Sequence, residues 1–399
     1  MRTYRPKYHF TPKYGWMNDP NGLIFWNGTY HMFYQHNPNG LQWAHMHWGH
    51  AISSDLIHWE HLPVALCPDE DGDIFSGSCI FDKDNVSGLG TKENPPLLAF
   101  YTSHRMEDGR EMQCVAASTD GICFVKYEGN PVIPASPIAP ELTGIQPDTG
   151  NDGRKAFSPA RDPFVFRNPV TGAFSLCLTT EKAVWFYSSD NLLTWEKTGE
   201  FTLPAYAFQG MIECPCMFFA DAEGEKKAVL MVSMDSPAEE YSKFPEGALP
   251  HSRLMQYFVG EFDGMKFTPD SAQSQPLLVD EGRDFYAGNL FAETDFPILI
   301  AWLGNSKESM EIPTEEEGFR GVMSCPRRLE LVKTEKGYRI KQTFYPAFVR
   351  DKRSEAVKQP SDDEQREINA LYKNGESILD GCVSERISKD GLHSETYMK

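Results

Sequence analysis

The feature that most constrains this chain is a short turn pattern that recurs about every 70 residues. The first copy is Ser53-Ser54-Asp55-Leu56-Ile57-His58-Trp59, and similar runs occupy residues 118–124, 188–195 and 261–267. Each copy predicts a strand, a hairpin turn built on an aspartate, and an aromatic residue that opens the next strand. The four aspartates are 65, 70 and 73 residues apart: Asp55, Asp120, Asp190 and Asp263. A common hairpin signature is the alternative explanation, but four copies at similar spacing favour a repeat.

Short apolar or alternating segments lie between turn residues, as expected of an all-β fold. They include Gly22–Phe25, Tyr30–Tyr34, Leu97–Tyr101, Phe174–Leu178, Ala228–Val232 and Ile298–Trp302. A unit of about 70 residues with about four strands is typical of a propeller blade with long loops. Roughly 345 residues then make five blades. We therefore predict an all-β, five-bladed β-propeller over residues 1–345.

The character of the chain changes after residue 345. Ser361 and Glu364 form a capping-box pattern, Ile368 and Leu371 follow at helical spacing, and Gly375 supplies a stop. These signals predict one helix at about 361–374 in a short, partly helical extension, 346–399. The residues after the helix are polar and too few to form a second core, so we expect no full β-sandwich.

Charge and cysteine content exclude several classes of protein. The chain has 38 basic and 57 acidic residues, a net charge of −19, which disfavours nucleic acids and anionic membranes as partners. No apolar run approaches the roughly 20 residues that span a bilayer. The nine cysteines show no disulfide framework and the first ten residues show no apolar signal-peptide core, so we expect a cytoplasmic protein. Aromatic residues make up 13%, which favours strands and a sugar-stacking pocket.

Three acidic residues are candidates for chemistry. Asp19 lies in Trp16-Met17-Asn18-Asp19-Pro20-Asn21-Gly22, Asp162 lies in Arg161-Asp162-Pro163, and Glu213 lies in Glu213-Cys214-Pro215. Taken singly, each has a structural explanation: a turn aspartate, an ordinary ion pair, or an acid before a proline at a strand entry.

Together, these three motifs resemble glycoside hydrolase family 32, the family of invertases and fructan hydrolases. The resemblance runs through residues 16–50 and continues in Phe75-Ser76-Gly77-Ser78, residues 120–133, Asp284-Phe285-Tyr286-Ala287 and Arg320-Gly321-Val322-Met323-Ser324. It covers about residues 8 to 345. It implies a five-bladed propeller with the active site in a central funnel, in agreement with the repeat count.

The resemblance also implies roles for the three carboxyl groups. Asp19 would be the nucleophile, Glu213 the general acid and base, and Asp162 the stabiliser of the transition state, with Arg161 orienting it. In a retaining glycosidase the nucleophile and the acid are about 5–5.5 Å apart. Asp19 then needs hydrogen-bond donors that keep it ionised, and Glu213 must hold a proton near neutral pH.

Further residues are implied to bind the fructosyl unit through amide hydrogen bonds and aromatic stacking. They are Asn18, Gln35, Trp43, Phe75, Ser76, Tyr286 and Trp302, with Asp284 as an extra acidic member of the site. Core packing remains the alternative for Phe75 and Trp302, and a strand amide that bonds only to the protein remains the alternative for Gln35.

Metal and thiol chemistry are the competing explanations of two other patterns. His45, His47 and His50 are close in sequence, but no acid or cysteine at ligand spacing completes a zinc set. Cys214 and Cys216 lack a second cysteine pair or an orienting histidine. We therefore expect neither a metal nor another cofactor.

The chain departs from the family in two places. Family members continue into a β-sandwich, for which the residues after 345 are too few. In addition, the segment Pro134–Ser158 is rich in Pro, Gly and Asp, and Ser158-Pro159-Ala160 replaces the aromatic residue that usually precedes the arginine. We expect this segment to form a loop at the funnel rim.

The sequence therefore predicts a retaining β-fructofuranosidase that releases terminal fructosyl units from sucrose or short fructans. A transfructosylating enzyme and a sucrose-6-phosphate hydrolase remain alternatives, and a non-catalytic fructan-binding propeller is the alternative from another class. The predicted partner is a small carbohydrate, and assembly into a homo-oligomer is left open.

Overall fold

The computed structural model describes residues 3–136, 157–245, 250–345 and 376–398. The helix expected at 361–374 and most of the loop expected at Pro134–Ser158 lie outside these residues. The division into a domain of residues 1–345 and an extension of residues 346–399 therefore stays a prediction.

The described chain is almost entirely β-structure. The strands of the first half are β1 (Gly15–Trp26), β2 (Thr29–Asn37), β3 (His47–Ser53), β4 (Glu60–Leu66), β5 (Asp73–Phe81), β6 (Leu97–Arg105), β7 (Arg110–Ser118), β8 (Val125–Lys126), β9 (Ala160–Arg167), β10 (Phe174–Thr180), β11 (Ala183–Ser189) and β12 (Glu196–Thr202). Those of the second half are β13 (Met211–Ala222), β14 (Glu225–Asp235), β15 (Arg253–Phe262), β16 (Phe267–Pro269), β17 (Leu277–Leu278), β18 (Tyr286–Leu290), β19 (Ile298–Leu303), β20 (Phe319–Arg320), β21 (Val322–Met323), β22 (Arg327–Thr334), β23 (Gly337–Phe344), β24 (Glu376–Asp380), β25 (Val383–Ile387) and β26 (Ser394–Met398).

Helical structure within the described ranges is confined to three short segments. These are two 3-10 turns, Ala238–Lys243 and Thr314–Glu317, and the single α-helical turn α1 (Lys307–Met310). None of the helices in the described residues is long and apolar enough to cross a membrane.

The strands form six sheets. Four sheets follow chain order in meanders: β1–β4, β5–β8, β9–β12 and β13–β16, with β17 added to β15. The next sheet has the order β18-β19-β22-β23, with β21 paired to β19, and β24–β26 form the last. The two-residue strand β20 lies between β19 and β21 in sequence, but it pairs in parallel with the start of β1. It therefore links the fifth sheet to the first.

The prediction of an all-β propeller is confirmed, but the count of five blades is wrong, because the described chain forms six sheets. The sixth, the C-terminal sheet (β24–β26), comes from a segment that we expected to be polar and too short to form a second core. Its strands bury apolar Val383 and Ile387, and they also bury Glu385 and Thr396. Hydropathy does not predict the burial of Glu385, because that burial depends on its charged partners Arg327 and His9, which lie far away in the sequence.

The turn repeat is real, with one correction to its third copy. Asp55, Asp120 and Asp263 each accept two backbone N–H bonds within their turns. In the third copy the residue that does so is Asn191, not Asp190. Asparagine and aspartate both form such turns, so the true equivalent lies one residue later than we aligned it.

The first strands of five sheets pack around a common centre. The strands β1, β5, β9, β13 and β18 each contact the next in this order, and β18 contacts β1. The middle strands β2 and β6 are buried along nearly their whole length, whereas β22 alternates buried and partly exposed residues. These patterns fit strands covered on both faces and on one face, respectively.

Candidate active site

The central strands open into one large pocket with a volume of about 790 Å³, which is within the usual range of ligand sites. Eleven of the twelve residues that we predicted for the site line this pocket: Asn18, Asp19, Gln35, Trp43, Phe75, Ser76, Arg161, Asp162, Glu213, Tyr286 and Trp302. They come from positions far apart in sequence, so the fold brings together groups that the sequence could only suggest.

A β-bulge lies at the pocket in each of the five central strands. Pairing shifts register between Met17 and Pro20 in β1, between Ile74 and Gly77 in β5, and between Glu213 and Cys216 in β13. Similar shifts occur beside Asp162 in β9 and after Tyr286 in β18. Bulges re-aim side chains and are frequent next to active sites. Here they turn the predicted site residues out of the regular pleat.

The Asp19 carboxylate is held by three donors. Ser76 Oγ donates to Oδ2 over 2.7 Å, Asn18 Nδ2 donates to Oδ1 over 3.0 Å, and Cys214 Sγ lies 3.5 Å from Oδ2. Trp16 in turn donates its indole N–H to Asn18 Oδ1 over 2.8 Å. Burial raises the pKa of Asp19, the Ser76 and Asn18 bonds lower it, and the charge of Glu213 raises it. The expected donors are therefore present.

Asp162 is buried in an unusual backbone conformation. Its φ is +63°, its N–H donates to Thr102 Oγ1 over 3.0 Å, and its Oδ2 accepts the Cys214 N–H over 2.9 Å. A non-glycine residue at positive φ costs about 1–3 kcal/mol, and such strain is common at functional sites. Burial raises the pKa of Asp162 to about 7, although the nearby Arg161 guanidinium opposes the shift.

Glu213 bridges a cation and a phenol. Arg161 donates to Glu213 Oε1 over 2.9 Å, and the Tyr286 hydroxyl donates to Oε2 over 2.5 Å. These bonds fix both oxygens, and the Glu213 side chain keeps 29% of its exposure, so it remains reachable from the pocket. Burial raises the pKa of Tyr286, as does the charge of Glu213, so this hydroxyl is a donor at neutral pH.

Sequence reasoning missed two residues behind Arg161. Glu111 accepts from Arg161 over 3.1 Å and from the Ala160 N–H over 2.8 Å. His104 lies 3.2 Å from the same glutamate and stacks on Phe75, with 4.2 Å between ring centroids. Burial alone would lower the pKa of Arg161, but Glu111 and Glu213 raise it. The sequence offered one sign of this role: Glu111 is a charged residue near the start of β7, a strand whose other residues are mostly uncharged and buried.

Further residues that line the pocket were indicated by no motif. They are Met106, Asp235, Ser252, Arg253 and the segment Gly304–Met310, which contributes Gly304, Asn305, Ser306, Lys307 and Met310. We call Gly304–Met310 the rim segment. Trp43 also lines the pocket as an exposed aromatic, and its ring packs edge-on against Phe75.

Gln35 and Asp284 differ from the expectation for them. Gln35 lines the pocket, but its amide N–H groups donate to Asn21 Oδ1 and the Ile74 carbonyl, so it also organises the pocket floor. Asp284 is completely buried and does not line the pocket. It accepts backbone N–H bonds from Ser306 and Met398 instead.

The histidines considered as metal ligands do not converge. His50 pairs with His31 over 3.1 Å, and His47 bonds to the His45 carbonyl. Among the described residues, the one group with metal-like spacing is His9, Cys325 and Glu385, whose ligand atoms lie within 4.8 Å of one another. There, His9 Nε2 is hydrogen-bonded to Glu385 and Nδ1 to Asp380, so the ring is fully satisfied without a metal.

Cys214 and Cys216 are separated by the bulge of β13. Cys214 lies beside Asp19, whereas Cys216 points to the Gly288 carbonyl. Burial raises the pKa of both thiols, so neither has the thiolate character of a cysteine nucleophile.

The comparisons with known proteins agree with this geometry. The model of the glycosyl hydrolases family 32 N-terminal domain matches residues 9–343. A levanase of Bacillus subtilis is 41% identical over 348 residues, which cover 85% of this chain and 46% of the levanase. The chain thus spans about half the length of that relative.

Solved structures of the family share the fold. The exo-inulinase from Aspergillus awamori superimposes with a TM-score of 0.72 at 34% identity, over 86% of this chain and 67% of that one. A fructofuranosidase from Schwanniomyces occidentalis complexed with fructose gives 0.71 at 30% identity, over 86% and 64%. With the family model matched across most of its length, the chain belongs to glycosyl hydrolase family 32.

Proposed function

We propose that this protein is an exo-acting β-fructofuranosidase that releases terminal fructosyl units with retention of configuration. The observation that carries the proposal is the convergence of Asp19, Asp162 and Glu213 in one pocket, with donors on each. The names of the relatives, levanase and exo-inulinase, support a fructan or a fructosyl sugar as the substrate.

Asp19 is the proposed nucleophile. Its oxygens are held by Ser76 and Asn18, so the carboxylate has one fixed orientation toward the pocket. Attack on the anomeric carbon forms a covalent fructosyl-enzyme, and the bond to the leaving oxygen breaks. Cys214, the residue after Glu213, has its Sγ 3.5 Å from Asp19 Oδ2, which places the two carboxyl groups in the same part of the pocket.

Glu213 is the proposed general acid and base. It protonates the leaving oxygen in the first step and removes a proton from the attacking water in the second. Arg161 and Tyr286 hold its two oxygens, so the group that shuttles the proton stays in place through both steps.

Asp162 is the proposed stabiliser of the transition state. Within the described residues this buried carboxyl accepts one hydrogen bond, from the Cys214 N–H, so it retains acceptor capacity for sugar hydroxyls. Its bonds to those hydroxyls strengthen as positive charge develops on the ring.

A phosphorylated sucrose is the second candidate substrate. Arg253 and Lys307 both line the pocket, and Arg253 lies 3.8 Å from the Asp235 carboxylate. Two cations in the pocket lining would favour a sugar phosphate over a neutral sugar.

We also propose a reducing, cytoplasmic location. All nine cysteines lie in the described residues as free thiols, and seven of them are buried. Disulfides are rare in reducing compartments. Fractionation of the source cells followed by an activity assay tests the location: activity in the secreted fraction contradicts it.

The function is tested by incubating the purified chain with sucrose, sucrose 6-phosphate, inulin and levan and measuring the released fructose. NMR of the first product, before mutarotation, reports the anomer: β-fructofuranose supports retention and the α-anomer contradicts it. Accumulation of longer oligosaccharides would instead indicate transfer to a sugar. Binding without release from any substrate would contradict the proposed activity and favour a non-catalytic fructan-binding protein.

A further inference from the structure

We propose that the C-terminal sheet supports the pocket wall from behind, and that Asp284 is the positioning residue that links this sheet to the rim segment. The proposal rests on the proposed function, because it assigns the rim segment to binding of the fructoside. It concerns a residue that sequence reasoning placed among the substrate contacts and that the structure places behind them.

Asp284 joins three parts of the molecule. Its Oδ1 accepts the Ser306 N–H of the rim segment over 3.3 Å, and its Oδ2 accepts the Met398 N–H of β26 over 3.0 Å. Its own N–H donates to the Thr396 carbonyl over 3.3 Å. Asp284 also lies two residues before Tyr286, the phenol that holds Glu213. One buried carboxylate therefore fastens both the rim segment and the C-terminal sheet to the start of β18.

Ser306 is the point at which this link enters the pocket wall. It is the N-cap of α1, where its side chain accepts the Ser309 N–H. The next residue, Lys307, and Met310 line the pocket, and Met310 also packs against the aromatic cluster that contains Trp302. A shift of Ser306 would therefore move two groups that face a bound sugar.

The last strand of the C-terminal sheet, β26, packs closely against the segment before β18 and against Gly304 of the rim segment. The Glu281 N–H donates to the Ser394 carbonyl over 2.8 Å, and a Cβ added at Gly282 would lie only 2.2 Å from the Thr396 nitrogen. At the far end of β26, a Cβ at Gly304 would lie 3.3 Å from Met398 Sδ. The strand thus runs along the back of the segment that leads into the pocket wall.

A buried ion network holds the sheet in that place. Arg327, on β22, donates to Asp280 over 2.8 Å and to Glu385 over 2.5 Å, and it also donates to Ser394 and Thr396 of β26. All four partners are buried, so the sheet could leave this position only by breaking the ion pairs of a buried arginine. This rigidity is what allows β26 to serve as a fixed support for the rim segment.

The test compares Asp284→Asn with the wild-type full chain. An asparagine keeps the shape but turns an NH₂ group toward one of the two backbone N–H donors, so one bond is lost. We expect KM for sucrose to rise about three- to tenfold while kcat changes less than about twofold, because the chemical groups stay in place. The pH profile of kcat should not move.

Hydrogen–deuterium exchange measures the link directly. We expect the Ser306 amide to exchange at least about fivefold faster in Asp284→Asn, with no change in peptides from β1 or β13. Met398→Pro removes the second donor together with the buried Met398 side chain, and it should raise KM in the same way. Met398→Ala also loses that side chain but keeps the N–H, so it serves as the matched control. This pair decides the matter if Asp284→Asn fails to fold.

Unchanged KM and unchanged exchange in Asp284→Asn and Met398→Pro would overturn the proposal, as would a loss of kcat at constant KM. A wild-type chain that cleaves no fructoside would refute the proposed function instead. The exchange of the Ser306 amide would then still decide whether Asp284 supports the rim segment.

Discussion

Two clusters of buried charge lie in this molecule, and they are built in opposite ways. The pocket gathers the carboxyls of Asp19, Asp162 and Glu213, and the Arg161 guanidinium forms an ion pair with one of them, Glu213. The C-terminal cluster gives the carboxylate of Glu385 two cationic partners, Arg327 and His9. Burial raises the pKa of Asp162 to about 7, whereas the charge of Arg327 and the His9 bond outweigh burial and lower the pKa of Glu385 to about 2.

This difference separates a reactive site from a structural one. Paired charges hold the C-terminal sheet in position, and both Glu385 oxygens already have partners in His9, the Cys325 N–H and Arg327. The pocket carboxyls lack full compensation, so they retain the capacity to bind hydroxyls, accept a proton or attack carbon. Active sites typically carry such perturbed groups at a cost in stability.

The largest effect should come from removing the nucleophile. We expect Asp19→Asn to lower kcat by about 10⁴-fold or more, because no other group in the pocket can form the covalent bond. Its free energy of unfolding should stay the same or rise, since a buried carboxylate becomes a neutral amide. Fructose release and urea unfolding measure the two quantities.

Asp263→Asn is the matched control for that variant. It makes the same chemical change in a hairpin turn, where Asn191 already performs the equivalent role in another copy of the repeat. Substantial residual turnover in Asp19→Asn, or an equal loss in Asp263→Asn, would contradict the assignment.

The C-terminal cluster should respond in stability. We expect Glu385→Gln to lose about 3–5 kcal/mol of unfolding free energy, because it leaves Arg327 buried without its closest charge partner. Urea unfolding measures the change. Glu225→Gln, which breaks the exposed ion pair with Lys333, is the control and should show little change. If Glu385→Gln and Glu225→Gln lose the same unfolding free energy, the buried ion pair does not stabilise the fold more than the exposed one.

Glu213→Gln should give a selective loss. We expect hydrolysis of sucrose to slow by about 10²–10³-fold, with a much smaller loss on a fructoside whose leaving group departs without a proton. The measurement is the steady-state rate on each of the two substrates, for a variant that differs from the wild type at Glu213 alone. If both substrates slow equally, Glu213 does not act as the acid.

The sequence predicted the propeller and the members of the pocket well, because both are encoded locally. Hairpin turns at Asp55 and Asp120 form from residues within a few positions of each other, and the motifs around Asp19 and Glu213 are contiguous. Eleven of the twelve predicted residues line one pocket for this reason.

The parts that could not be predicted depend on contacts between distant residues. Glu111 joins the site only because Arg161, 50 residues later, is folded against it. The C-terminal sheet forms because Glu385 meets Arg327, a pairing across 58 residues that hydropathy cannot show. Asp284 was predicted to be an acidic member of the pocket. It lies outside the pocket lining, where its carboxylate accepts the N–H of Met398, 114 residues later in the sequence.

The two clusters should change the stability of the fold in opposite directions as the pH rises. Because the folded-state pKa of Asp162 is raised, its contribution to stability is fully present below about pH 4 and is lost as the pH rises through about 7. Glu385 has a lowered pKa, so its contribution is present above its ordinary pKa and is lost as the pH falls toward about 2.

The most direct test is therefore the free energy of unfolding of the wild type and of Asp162→Asn, measured by urea between pH 4 and pH 8. We expect the wild type to lose stability relative to the variant as the pH rises toward 7, and the variant to have a strongly reduced kcat at every pH. A stability difference that is independent of pH, or that changes in the wild type's favour as the pH rises, would contradict the claim that the pocket holds its carboxyls in an uncompensated state for catalysis.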